Sequence, residues 1–259
     1  MGPSFNEQFD QHGAWRRAFA QQLKQLAEWM SNHDLMDAAV QERLQRLEGQ
    51  VRTDKVMVAF VAEFSRGKSE LINAIFFADY GRRIMPASAG RTTMCPTELG
   101  YDSALPPSLR LLPIETRLQM QGLADWRLKP ERWVEIALDV NNADQIAKAL
   151  EKVSEIRRVS IEDARALGFW HDDLTDENPV PDVDGLVEVP MWRHALINIP
   201  HPLLKQGLVI LDTPGLNAVG AEPELTVNLI PQAHAVVFIL SADTGVTRSD
   251  LSIWREHLA

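Results

Sequence analysis

Val56-Met57-Val58-Ala59-Phe60-Val61-Ala62-Glu63-Phe64-Ser65-Arg66-Gly67-Lys68-Ser69 opens as an apolar, β-branched run and closes on Gly-Lys-Ser, directly before the amphipathic Glu70-Leu71-Ile72-Asn73-Ala74-Ile75-Phe76-Phe77. A strand that turns into a helix through Gly-Lys-Ser is a phosphate-binding loop. The spelling follows from the chemistry. Backbone N–H groups curl around an anion, Lys68 offers a point charge to the β- and γ-phosphates, and the Ser69 hydroxyl ligates Mg²⁺. The helix turns its positive end toward the same anion. The phosphate-contacting residues are therefore read as Glu63, Phe64, Ser65, Arg66, Gly67, Lys68, Ser69 and Glu70. The competing reading is a plain strand-to-helix turn with an exposed lysine. Ala62 stands where the motif carries its first glycine, and a Cβ there costs about 1 kcal/mol if the position demands a positive φ.

The chain has 259 residues, 45% of them hydrophobic, which is ample for a core. A formal charge of −10 disfavours a nucleic-acid backbone or an anionic lipid surface as a direct partner, since either requires clustered lysine and arginine. The longest apolar run, Ala235 to Leu240, is far short of the roughly 20 residues of a spanning helix. A single cysteine, Cys95, rules out an internal disulfide and fits a reducing compartment. The expectation is a cytoplasmic protein, with any membrane contact peripheral and made by regions outside this chain.

Two helical segments precede the phosphate loop. Trp15, Phe19, Leu23, Leu26 and Met30 share one helical face, as do Met36, Val40, Leu44, Leu47 and Val51, with Asn32-His33-Asp34 between them. They form either a hairpin packed on the nucleotide domain or half of a bundle completed elsewhere. Beyond the loop helix, residues 81–97 read as loop and residues 98–101 as strand. Within 102–192, Leu109 to Ile114 reads as extended and Asp144 to Arg158 as helix, with Ile146, Leu150 and Val153 on one face. Ser160-Ile161-Glu162-Asp163 reads as a capping box, and the acidic stretch from Asp172 to Asp184 as a solvated loop. Ala195 to Ile199 alternates like a half-exposed strand, Gly207 to Leu211 is continuous like a buried one, and Ala235 to Leu240 is a third strand.

Strands alternating with helices predict an α/β fold: a mainly parallel sheet of P-loop GTPase type flanked by helices, preceded by an N-terminal helical segment. The expected division is 1–52 for the helical segment and 53–259 for the nucleotide domain, with an insert at about 102–192. Ligands of such sheets sit at the carboxyl ends of the strands. There the buried run ends on Asp212-Thr213-Pro214-Gly215, the second metal and γ-phosphate element of a GTP switch. Asp212 would hold Mg²⁺ through water and the Gly215 N–H would contact the γ-phosphate. Thr93 is the candidate for the remaining metal ligand, with Thr92 as the alternative.

Glu63 to Ser69 with Leu71-Ile72-Asn73-Ala74, the Thr93-to-Thr97 loop, and Leu211-Asp212-Thr213-Pro214-Gly215-Leu216 resemble the bacterial branch of the dynamin-like large GTPases. The resemblance covers about residues 56–101 and 207–259. It implies Mg-dependent binding and hydrolysis of GTP to GDP, self-association across the nucleotide face, and membrane remodelling through parts beyond this chain. Ser69, Thr93 and Asp212 would be the metal-linked residues, and Lys68, Thr93 and Ser65 the catalytic ones. Ser65 matches a serine that in dynamins helps hold a monovalent cation. The helices before residue 52 match those of the family's neck bundle in placement. The 119 positions from Thr93 to Asp212 (212 − 93) suit a large GTPase with an insert.

Departures from the family pattern keep a second reading open, a nucleotide-gated scaffold without turnover. Besides Ala62, Phe64 stands where eukaryotic dynamins carry glutamine, and Leu216 where Ras-like enzymes place the glutamine that orients water. Arg66 is either an internal arginine finger or an exposed loop arginine. No [NT]-K-x-D sequence for guanine recognition occurs, so the chain reads as the N-terminal part of a longer protein, one strand short of that element.

Overall fold

The computed structural model describes residues 5–33, 35–37, 40–41, 43–44, 47, 51, 55–62, 66–86, 95–119, 121–172, 178–213, 230, 233–243 and 245–255. In chain order these form α1 (Phe5–Asn32), β1 (Val56–Ala62), α2 (Lys68–Phe76), β2 (Thr97–Gly100), β3 (Ser108–Pro113), α3 (Leu123–Arg127), β4 (Val134–Ala137), α4 (Ala143–Glu151), β5 (Ile156–Val159), α5 (Ile161–Ala166), β6 (Val187–Pro190), β7 (Trp192–Asn198), α6 (Pro202–Lys205), β8 (Leu208–Asp212), β9 (Ala235–Ile239) and α7 (Arg248–Ile253).

Seven strands make one sheet in the order β4-β3-β7-β2-β8-β1-β9. The half next to the phosphate loop is parallel, β8 to β1 to β9. Parallel strands buried on both faces favour continuous apolar runs, which is how β1 and β8 are spelled. Phe60, Leu99, Ile197 and Ile210 join one core cluster with Ile72 and Phe76 of α2 and Ile146 and Leu150 of α4. Ala59, Val61 and Leu211 form a second cluster with Ile230. On the other side β2 runs parallel to β7 but antiparallel to β8, and β3 is antiparallel to both of its neighbours. β3 and β4 come from the 102–192 stretch, which thus widens the central sheet.

The same stretch also builds a satellite unit. β5 and β6 pair antiparallel over Ile114, Val159, Leu167, Phe169, Val187 and Val189. Ser160 caps α5 by accepting from the Asp163 N–H at 3.0 Å, as its spelling predicts. Asp182 and Asp184 converge on the Arg158 guanidinium, so the acidic loop is pinned by a cation of β5.

Three expectations need correction. Residues 156–158 are strand: after α4 a short 3₁₀ turn at 152–154 redirects the chain, and the β-branched Ile156 and Val159 pair with β6. β7 is buried along nearly its whole length, because its polar residues have internal partners. Arg193 donates to the Thr116 carbonyl at 2.8 Å, and the Asn198 amide donates to the carbonyls of Asp102, Leu105 and Pro106. Finally, Trp15, Phe19 and Leu26 of α1 are exposed, and the half-buried stripe is Arg16, Ala20, Leu23, Ala27 and Met30, rotated by about one residue from the expected face. The second N-terminal segment lies largely outside the described residues.

Strand β2 carries a charge into the core. Glu98 accepts from the Arg127 guanidinium, and its Oε1 lies 3.0 Å from His194 Nε2 on β7, with the Trp133 ring edge-on to the imidazole. Burial acts to raise the Glu98 pKa, but the hydrogen bond and charge of His194, with those of Arg127, outweigh it and hold the carboxyl below its ordinary 4.5. A depressed carboxyl contributes stability above its unfolded pKa and loses it as pH falls through the folded one. Glu98→Gln is therefore expected to cost about 1–3 kcal/mol at neutral pH, with the gap to wild type closing below pH 4.5. Urea denaturation across pH 3–7 checks this, and parallel curves would contradict it.

Candidate nucleotide and metal site

Five residues of β1 match five of β8 in parallel register, Phe60 lying opposite Asp212. The two carboxyl ends therefore open at one place. The turn after β1 reaches Gly67 with φ 84°, a left-handed backbone, and no side chain caps the N-terminus of α2. Only glycine adopts that φ without strain, so Gly67 is required for the turn itself. The first N–H groups of α2 take no side-chain cap among the described residues, and with the positive end of the helix dipole they suit an anion.

Lys68, 9% exposed, opens α2 and its ammonium contacts Asp212 Oδ1, whose residue is 2% exposed. The other oxygen, Asp212 Oδ2, is buried with no hydrogen-bond partner among the described residues. An ionised carboxylate oxygen in that position asks for a cation or a water bound to one. Ser69, half-buried in the same turn, supplies a second hard oxygen, and such donors fit Mg²⁺. Thr213, fully buried, donates to the Phe60 carbonyl at 2.8 Å and so ties the end of β8 to β1.

Gly67, Lys68, Ser69 and Asp212 thus come together. The exposed carboxylate of Glu70 pairs with Arg83, leaving its backbone N–H as its contribution to an anion. Arg66 is half-buried beside Gly67. Ala62 is the last residue of β1, paired with Ile239, so it has extended backbone and its Cβ meets no left-handed demand; the expected penalty does not arise. Glu63, Phe64, Ser65, Thr92, Thr93 and Gly215 lie outside the described residues. The sequence reading quoted Thr213 and Asn73 within longer motifs but assigned neither a role, and Asn73 lies on the buried side of α2. An amide beside Ile72 and four positions after Ser69 was the available signal.

A family model described as the dynamin family matches residues 58–259. The chain belongs to the dynamin family. A bacterial dynamin-like protein of Nostoc punctiforme is 34% identical over 67 residues, covering 26% of this chain and 8% of that protein. Two solved chains from an oligomerised bacterial dynamin pair, described as a mechanism for long-range sensing and tethering of membranes, share the fold. One aligns with a TM-score of 0.51 at 14% identity over 94% of this chain and 30% of its own length. The other gives 0.50 at 13% over 99% and 37%. The present chain thus spans well under half the length of these relatives.

Within this dynamin-family site, removing one member of the buried Lys68–Asp212 pair strands the other, typically at 3–5 kcal/mol. Lys68→Ala is therefore expected to lower the stability of the nucleotide-free protein. Adding Asp212→Asn to it should restore most of the loss, as read from denaturant midpoints. A double variant no more stable than Lys68→Ala would show that the two side chains do not neutralise each other.

Proposed function

We propose that the protein is an Mg-dependent GTPase in which phosphate and metal take over the two halves of the Lys68–Asp212 pair. The observation carrying this is the buried pair at the carboxyl ends of two adjacent parallel strands, with Asp212 Oδ2 beside it lacking a hydrogen-bond partner among the described residues. Lys68 would turn to the β- and γ-phosphates, and the released Asp212 would hold metal-bound water with Ser69 alongside. Mg²⁺ supplies neutralisation of the phosphate charge that develops during transfer. Thr93, or Thr92, would complete the metal shell, and the N–H groups of Gly67, Ser69 and Glu70 would cradle the phosphates. Ser65, Glu63, Phe64, Arg66 and Gly215 are proposed contacts on sequence grounds.

Guanine specificity, self-association across the nucleotide face and a membrane role in the full-length protein are part of this proposal, supported by membership of the family and by what its solved relatives are described as doing. The exposed Trp15, Phe19 and Leu26 of α1 favour half of a bundle over a hairpin packed on the nucleotide domain. A non-hydrolysing scaffold is the competing reading. It has lost the support of Ala62 and retains that of Phe64 and Leu216.

Calorimetry with Mg-GTP on the full-length protein is expected to show binding by wild type and loss of it in Lys68→Ala and Ser69→Asn. Equal affinity for wild type and Lys68→Ala would defeat the proposal. Thr93→Ala should lower turnover much more than affinity, since its ligand role depends on the γ-phosphate. Steady hydrolysis that rises per molecule with protein concentration would favour the enzyme over the scaffold; no turnover at any concentration would favour the scaffold.

A further inference from the structure

Glu70 is the third residue of α2, one position past Ser69, and it sets a carboxylate beside the helix end that is read above as the seat of the phosphates. That placement carries a conflict. A glutamate three positions into a helix is drawn back over the N–H groups at its start, both by hydrogen bonding and by the helix dipole. Gly67 before it has no side chain with which to occupy those groups. Left to itself, the Glu70 carboxylate would compete with a phosphate for the same donors and repel it.

The carboxylate turns aside instead, to the guanidinium of Arg83, its partner among the described residues. The Arg83 and Glu70 side chains are 46% and 59% exposed, and a pair so open to water adds at most about 1 kcal/mol to stability. Where it holds the carboxylate matters more than how strongly. Arg83 belongs to a segment whose backbone is fastened to α2 itself, through the 8%-exposed amide of Asn73, one turn on from Glu70. The Asn73 Oδ1 accepts from the N–H groups of Ile84 at 2.9 Å and Met85 at 2.8 Å. Its Nδ2 donates to the Met85 carbonyl at 3.1 Å and to the Ser69 carbonyl at 2.9 Å. On the other side of Arg83, the Arg82 guanidinium pairs with Asp144 of α4. Arg83 therefore reaches the flank of α2 from a backbone tied down both before and after it.

We propose that Arg83 is a positioning residue, holding the Glu70 carboxylate on the flank of α2 and so keeping the helix's own anion off the N–H groups that receive phosphate. This rests on the nucleotide-site reading given above and adds to it a residue that acts only through Glu70. With the arginine in place, the carboxylate is both turned away and neutralised. Without it, the same carboxylate becomes an internal competitor of the ligand.

The test is calorimetry with Mg-GDP on the full-length protein at low and high salt, with folded fraction followed by thermal melting. Arg83→Ala is expected to weaken Mg-GDP roughly two- to fivefold at low salt, the range of one charge at a helix end. The gap should narrow at high salt, where the repulsion is screened. Glu70→Ala, which keeps its backbone N–H, should bind at least as tightly as wild type. The double variant should match Glu70→Ala, because the carboxylate that Arg83 restrains is then gone. Arg83→Lys keeps the charge and should retain most of the affinity, and Arg83→Gln is read in place of Arg83→Ala if the latter does not fold. An arginine that merely anchors its own segment would leave the double variant as weak as Arg83→Ala. That result overturns the proposal, as does an Arg83→Ala affinity equal to wild type while Lys68→Ala loses binding, which leaves the site standing and removes only this role. Wild type that binds no Mg-GDP overturns the role and the site reading together.

Discussion

The parallel register of β1 on β8 is the constraint from which the rest of the molecule follows. It places Phe60 opposite Asp212, so the basic residue that opens α2 after the turn meets an acidic residue at the end of β8. Buried charge is tolerated only when compensated, and Lys68 and Asp212 compensate each other. Thr213 adds a hydrogen bond to the Phe60 carbonyl, so the two strand ends cannot drift apart and the charges stay in contact. A site made in this way matches the proposed ligand, which carries both signs as an anionic phosphate with its divalent cation.

The far half of the sheet uses polar side chains differently. Arg193, His194 and Asn198 all lie on β7, where the sheet is covered on both faces, and each is buried because a carbonyl or carboxylate waits for it. Glu98 draws Arg127 from α3 and His194 from β7 onto one oxygen. These contacts fix strand order in a region where pairing alternates between parallel and antiparallel and where apolar patterning alone leaves register open.

Much of this was legible in the residues. Gly-Lys-Ser after an apolar run located β1 and α2, and the unbroken Leu208 to Leu211 located β8, because burial on both faces leaves a continuous apolar signature. Ser160 announced its cap. One cause of misreading is that periodicity counts apolar residues and is silent about satisfied polar ones. Ala195 to Ile199 looked half-exposed because the internal partners of Arg193, His194 and Asn198 come from distant segments. The helix expected through Arg158 stopped early because β6, some 30 residues on (187 − 157), offered Ile156 and Val159 a strand partner. Ala62 seemed strained only while its backbone was unknown. Asn73 was visible as a polar residue on a buried helix face, but its four bonds depend on where Ile84 and Met85 fold back, which no local pattern encodes.

Lys68 and Asp212 are 144 residues apart in the chain. Ribosomes add about 5–20 residues each second, so the phosphate loop leaves the exit tunnel roughly 7–30 seconds before the carboxylate that neutralises its lysine. During that interval β1 has neither of its neighbours, β8 nor β9, while the β3–β4 and β5–β6 units can close within themselves. On the nascent chain the partners of the satellite and of the β3–β4 pair are thus all available before the Lys68–Asp212 pair can close. A ligand bound at that pair as proposed above would meet a complete site only then.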